Sequence, residues 1–305
     1  MSFTVRVPAK VNVQLSVGAA RPDGFHDLAN VFLAVGLYDE VTVTPADGLT
    51  VTCSGPGTDQ VPLDRTNLAA RAAEMLAARY DRMPDVHIHI VKDIPVAGGM
   101  AGGSADGAGA LVACDALWGT NASRSELLDI CAELGSDVPF SLVGGAALGI
   151  GRGEKLTALE VGGTFHWVFA MADRGLSTPA VFREFDRLSA GFDVPEPVAR
   201  QDLLVALAEG DPDALAASVS NDLEPAALSL FPELAATLAA GRTAGALAAL
   251  VSGSGPTTAF LVRDSSSAAE VVTALRASGT CRTVRTASGP ALGATLLEVS
   301  MSEPG

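Results

Sequence analysis

Apolar and polar side chains alternate over Thr4 to Val7, Val11 to Val17 and Glu40 to Thr44, the two-residue period of half-buried strands. Pro22-Asp23-Gly24 and Pro45-Ala46-Asp47-Gly48 punctuate these runs. Each couples the fixed φ of proline to a residue tolerant of positive φ, so the pattern predicts a sheet with hairpins. The period lengthens at Asn67 to Tyr80, where strong helix formers set Leu68, Ala72, Met75, Leu76 and Arg79 at helical spacing; Asp64 or Thr66 is the expected cap. Val86 to Val91 alternates again and predicts a strand.

A glycine loop follows, Asp93 to Ala105, and feeds a helix that should end near Trp118-Gly119. Ser123 with Glu126 fits a capping box, predicting a helix from Arg124 to Leu134 with Gly135 as its stop and Asp137 just beyond. The glycine-rich stretch Gly144 to Gly153 leads to a domain boundary within residues 152–164, which divides the chain into domains 1–157 and 158–305. The second half reads as Ala/Leu helices near 199–208, 212–219, 231–240 and 265–277, with short strands near Trp167, Phe260, Val284 and Leu296. A helix over Ala244 to Leu250 and a strand over Thr258 to Val262 should flank Ser252-Gly253-Ser254-Gly255-Pro256. There is no internal repeat or long linker.

With 305 residues, 48% hydrophobic and 18% charged, the chain is globular rather than disordered. No run approaches the roughly 18 apolar residues of a membrane helix. The first residues enter a strand-like alternation without an apolar signal core, so a cytoplasmic protein with no membrane partner is expected. A net charge of −15 and the lack of a basic stripe argue against a nucleic-acid partner. Cys53, Cys114, Cys131 and Cys281 are scattered, at neither metal-ligand nor disulfide-framework spacing. Basic residues are 17 Arg and 3 Lys (Lys10, Lys92, Lys155), so each lysine stands out as a candidate for a specific role.

Four glycines within six residues, Gly98, Gly99, Gly102 and Gly103, cannot be explained by helix or strand stability, since each costs up to about 1 kcal/mol there. Freed backbone N–H groups at a helix N-terminus, with the Ser104 hydroxyl, suit phosphate oxygens; a tight structural turn is the other reading. The spacing is neither a Walker A loop nor GxGxxG. A serine nucleophile elbow is excluded at Ser254 and Ser104, because neither lies in GxSxG. Lys10 could be a solvated charge and Asp137 a turn-satisfying acid. His87 and His89 share a strand face with no third metal ligand near them, whereas His26 follows a turn and the aromatic Phe25.

Three clusters in order, Pro8-Ala9-Lys10-Val11-Asn12, the glycine loop with Ser104, and Ser252 to Pro256, resemble the GHMP small-molecule kinase superfamily over the whole chain. Arg21 to His26 and Leu176 to Phe182 resemble, more narrowly, its branch whose acceptor is 4-diphosphocytidyl-2-C-methyl-D-erythritol. The resemblance implies an α+β fold: an N-terminal ribosomal-protein-like α/β domain, a ferredoxin-like C-terminal domain, and an active site in the cleft between. It implies ATP and Mg²⁺ as cofactors, a small-molecule substrate carrying a CDP group, and phosphorylation of that substrate's 2-hydroxyl in the non-mevalonate route to isoprenoid precursors. Lys10 and Asp137 match the catalytic pair. Asn67 and the run Pro95, Val96, Ala97, Gly98, Gly99, Met100, Ala101, Gly102, Gly103, Ser104 and Ala105 match the ATP site. Asn12, Phe25, His26, Asp137, Thr178, Phe182, Gly253 and Ser254 match the substrate site, with Phe25 and Phe182 on the two faces of cytosine. The sequence departs from the pattern with Ala97 and Ala101 where glycine is usual, Met100 where leucine is usual and Phe25 where tyrosine is common. A homoserine or mevalonate type of kinase, and an inactive nucleotide-binding relative, are the alternatives. Neither an oligomeric state nor protein ligands for Mg²⁺ follow from these motifs.

Overall fold

The short alternating runs near the start are parts of two long strands. In the computed structural model, which describes residues 1–300, β1 (Ser2–Ala20) and β2 (His26–Pro45) pair antiparallel around the Pro22-Asp23-Gly24 turn. The alternation vanishes between the recognised runs because both strand faces are enclosed there: Val31, Phe32, Leu33, Ala34 and Val35 are all buried. There follow β3 (Thr50–Ser54), α1 (Leu68–Arg79), β4 (Val86–Val91), α2 (Gly102–Trp118), α3 (Arg124–Leu134), α4 (Val138–Val143), β5 (Ala146–Gly151) and β6 (Lys155–Ala158). The second half adds β7 (Phe165–Met171), α5 (Thr178–Ser189), α6 (Gln201–Glu209), α7 (Pro212–Ser218), β8 (Ser220–Asn221), α8 (Glu224–Leu230) and α9 (Leu234–Thr243). It ends with β9 (Ala248–Val251), β10 (Thr258–Val262), α10 (Ser265–Ser278), β11 (Thr283–Gly289) and β12 (Thr295–Ser300).

The first sheet runs β12-β1-β2-β4-β3, with β5 on β2, β6 on β5 and β8 on β1. Its core face packs against α1, α2 and α3 through Val5, Val7, Ile88, Ala72, Leu76, Leu111 and Ile130. Two of its strands, β8 and β12, come from the second half of the chain. The second sheet is antiparallel in the order β11-β7-β10-β9. Numbered within that sheet this is 4-1-3-2 with helices between, the split βαβ arrangement of a ferredoxin-like domain. Helices α9 and α10 cover one face through Leu234, Leu238, Val271 and Leu275. The two-part α+β architecture expected from the motifs is the one observed.

Three local expectations are corrected. The cap of α1 is neither Asp64 nor Thr66 but Asn67, whose Oδ1 accepts from Ala69 N at 2.8 Å; Asp64 instead accepts from Thr66 in the preceding turn. Ala244 to Leu250 is not a helix: α9 ends at Thr243, Gly245 turns the chain at φ 92°, and Ala248–Val251 pairs with β10. Alanine's helix propensity yields there to sheet pairing. Helices α4, α5 and α8 exceed the expected set, and each carries a proline in its first turn (Pro139, Pro179, Pro225), where the missing N–H has no intrahelical partner to lose. The capping box of Ser123 and Glu126 forms as expected. No helix among the described residues is long and apolar enough to cross a membrane.

Candidate active site

Lys10 and Asn12 lie two residues apart on β1 and project from one face. Lys10 Nζ donates to Asn12 Oδ1 at 2.6 Å, and Asn12 Nδ2 donates to Asn30 Oδ1 on β2 at 2.7 Å. All three side chains are buried, and an enclosed ammonium demands an anionic partner. Asp137 supplies it, with Oδ2 3.6 Å from Lys10 Nζ. Although Asp137 sits at the N-cap of α4, its side chain caps no amide, so the turn-satisfying role is not the one it plays. Lys10 is likewise not a solvated charge.

The glycine loop divides into two kinds of position. A Cβ on Gly99 would fall 2.1 Å from the Ser252 carbonyl oxygen, and one on Gly98 would fall 2.9 Å from Thr257 Oγ1. Ser252 Oγ donates to Gly99 O at 3.1 Å, and Thr257 N donates to Gly98 O at 3.3 Å. These two glycines therefore let the loop close on the Ser252 to Thr257 segment, which is the structural reading. Gly103 is different, because a Cβ there would meet only Leu68 Cδ1 at 4.0 Å. Ala101, the N-cap of α2, offers no side-chain cap, so the first-turn amides have no protein side chain to satisfy them. Ala97 and Ala101 hold left-handed φ values of 52° and 62°. The loop thus keeps a glycine-like path even where it carries methyl groups, at roughly 1 kcal/mol or more each.

A single cavity of about 850 Å³ gathers most of the expected residues. Lys10, Asn12 and Asp137 line it with Pro95, Ala97, Gly98, Gly99, Ala101, Gly102, Gly103 and Ser104 on one side, and Phe25, His26, Thr178, Phe182, Gly253 and Ser254 on the other. Asn67, Val96, Met100 and Ala105 do not line it. Met100 and Ala105 point into the core, and both ends of the Asn67 amide are engaged, by Ala69 N and by the Pro62 carbonyl. Phe25 is half exposed, with the Arg152 guanidinium 5.1 Å from its ring centre. His26 is buried, its Nε2 2.8 Å from Asp186 Oδ1 and its ring 5.0 Å from that of Phe182. Thr178 Oγ1 and Ser254 Oγ are 2.8 Å apart, tying α5 to the second glycine segment.

The GHMP kinases N terminal domain matches residues 67–145, and the GHMP kinases C terminal domain matches residues 203–281. The 4-diphosphocytidyl-2-C-methyl-D-erythritol kinase of Streptomyces coelicolor is 80% identical over 299 residues, covering 98% of this chain and 100% of that protein. Its namesake in Thermobifida fusca is 58% identical over 304 residues, covering 97% and 98% of the two chains. The chain belongs to the 4-diphosphocytidyl-2-C-methyl-D-erythritol kinase family. A crystal structure of 4-(cytidine 5'-diphospho)-2C-methyl-D-erythritol kinase superposes with a TM-score of 0.75 at 32% identity, over 93% of this chain and 98% of that one. Homoserine kinase from Cytophaga hutchinsonii shares the fold, with a TM-score of 0.73 at 19% identity over 97% of each chain. Fold alone therefore does not choose the acceptor within the GHMP kinases.

For this member of the kinase family, sequence reasoning passed over several cavity residues. Asn30, Arg152 and Asp186 line the cavity beside the expected set. Asn30 lies in the fully enclosed part of β2, where no alternation marks which side chain faces the site. Asp186 is four positions after Phe182 on α5, a helical neighbour that becomes visible only once α5 is known to be a helix. Lys92, one of the three lysines, turns out to be buried against Asp39 and Asp106.

Proposed function

We propose that the protein transfers the γ-phosphoryl group of ATP to the 2-hydroxyl of 4-diphosphocytidyl-2-C-methyl-D-erythritol, a step toward isoprenoid precursors by the non-mevalonate route. The observation that carries this reading is the Lys10–Asp137 pair, 3.6 Å apart, in one cavity with the glycine loop and with Phe25, His26 and Phe182. Phosphoryl transfer asks chiefly for positioning, charge compensation and a base for the hydroxyl proton. Asp137 takes that proton as the hydroxyl oxygen bonds to the γ-phosphorus and ADP leaves. Lys10 stabilises the developing alkoxide and favours the ionised form of Asp137 through the opposite charge beside it. Asn12, held between Lys10 and Asn30, has a fixed amide with which to orient the acceptor's polyol.

First-turn amides of α2 and the Ser104 hydroxyl receive the ATP phosphates. Asn67, Val96, Met100 and Ala105 enter this site only through the loop and cap they help to build. Phe25 and Phe182 clamp the cytosine, with His26 and Thr178 as hydrogen-bonding partners at its edge and Gly253 and Ser254 close to the acceptor. Among the described residues no group of three His, Cys, Asp or Glu side chains could hold a metal ion. Mg²⁺ bound to ATP is held largely by phosphate oxygens, and Ser104 is the hydroxyl at hand to add to them. Its charge would offset that of the phosphates. The boundary between the two domains falls at 157/158, and the four unpaired cysteines suit a reducing cytoplasm.

ATP consumption across a panel of alcohols with and without a CDP group tests the proposal. Turnover confined to the CDP-linked acceptor is expected. Equal or faster turnover of homoserine or mevalonate overturns it, and absence of any turnover favours an inactive nucleotide-binding relative.

A further inference from the structure

A buried charge cluster lies behind the phosphate loop, and none of its three side chains lines the cavity. Lys92, just past β4, donates to Asp39 Oδ2 on β2 and to Asp106 Oδ2 on α2, the latter at 2.8 Å. All three side chains are almost wholly enclosed. Asp39 Oδ1 in turn accepts from Asp93 N at 2.7 Å and Ile94 N at 2.9 Å, the residues that open the loop. Asp106 sits in the second turn of the helix that closes it. Gly102 rests directly on the cluster, since a Cβ there would lie 3.2 Å from both Lys92 Nζ and Ile94 Cγ2. Entry and exit of the loop are thus held by two carboxylates that share one ammonium.

Stability alone does not account for this arrangement. Burying three ionisable groups carries a large desolvation penalty, and well-packed apolar side chains of similar volume generally stabilise as much or more. Here one oxygen, Asp106 Oδ1, has no hydrogen-bond partner at all. Burial raises the Asp106 carboxyl well above the ordinary carboxylate range, against the pull of Lys92. Burial would lower Lys92, but Asp106 and Asp39 outweigh it and the ammonium is held charged. The cluster does have a geometric effect, because backbone donors must stand within about 0.5 Å of their productive positions to be useful to a ligand.

We propose that Lys92, clamped between Asp39 and Asp106, is a positioning residue that fixes the two ends of the phosphate loop relative to each other and so sets ATP affinity without touching ATP. This rests on the loop being the ATP site. Removing the tether to α2 lets the first-turn amides drift, while the cytosine side of the cavity, built on β2 and α5, keeps its shape.

The test titrates ATP and CDP separately against the full chain and its Asp106→Leu and Asp106→Asn variants, with a melting curve for each. Asp106→Leu leaves the Lys92–Asp39 pair intact, so no buried charge is orphaned. A misplaced donor set weakens ATP by about tenfold in Asp106→Leu and about threefold in Asp106→Asn, which keeps an acceptor for Lys92. CDP affinity stays within twofold in both. ATP affinity within twofold of the parent in both variants overturns the proposal, and so does a parallel loss of ATP and CDP affinity with a falling melting temperature. If Asp106→Leu does not fold, Asp106→Asn decides by the same twofold criterion. Gly103→Val serves as the control on the loop: if it leaves ATP binding unchanged, the assignment of the ATP site fails instead.

Discussion

Replacing Phe25 by leucine separates a ligand clamp from a core residue. The Phe25 ring is 49% exposed, and its nearest charged neighbour is the Arg152 guanidinium at 5.1 Å from the ring centre. Leucine keeps most of the apolar contact, so the folded state loses about 0.5 to 1 kcal/mol at most, chiefly the exposed cation–π contact. In a chain of this size that is a fall of roughly 1 to 4 °C in Tm. If the ring covers one face of cytosine, the bound state loses far more, since stacking on an aromatic side chain is worth roughly 1 to 3 kcal/mol per base. That corresponds to CDP binding weakened by about 5-fold to 150-fold. Phe182→Leu is the contrasting case, because Phe182 is partly buried against the cluster of Leu15, Val17, Val181 and Leu223 and against the His26 ring. There a comparable loss of CDP affinity comes with about 1 kcal/mol of lost stability. Calorimetric titration of CDP and of ATP, with melting curves, reads all four quantities. Unchanged CDP affinity in Phe25→Leu, or a loss shared equally by ATP, refutes the clamp.

Asp137→Asn is expected to lower kcat by about 10² to 10⁴ with ATP affinity within about threefold, since proton acceptance and the charge facing Lys10 are what is lost; a variant within twofold of the parent in kcat removes Asp137 from the mechanism. Gly103→Val is expected to weaken ATP binding at an unchanged melting temperature, because its Cβ position is open on the protein side. Gly99→Ala is expected to do the reverse and fall chiefly on stability, since its Cβ would collide with the Ser252 carbonyl at 2.1 Å at a φ of 76°. Equal stability losses in Gly103→Val and Gly99→Ala contradict the division of the loop into two kinds of glycine.

The sequence by itself determined the loop, the two small-residue segments, the capping box at Ser123, and the motif residues Lys10, Asp137, Phe25, His26 and Phe182. These are legible because each rests on a local rule: glycine where side chains cost room, a cap at fixed spacing, a lysine in a chain with few of them. Tertiary structure alone decided which glycines serve packing and which leave room, since Gly99 and Gly103 differ only in what stands opposite them, Ser252 in one case and open space in the other. It also decided the length of β2, whose enclosure on both faces erases the alternation that marks a strand, and the conversion of Ala248–Val251 from a helix-forming string to a strand paired with β10. Lys92 was visible as a rare lysine, but its partners Asp39 and Asp106 stand 53 and 14 positions away, and only the folded chain brings those charges together. Short-range pattern reports the backbone's local preferences; which charges meet, and which space stays empty, depends on long-range closure that no local window contains.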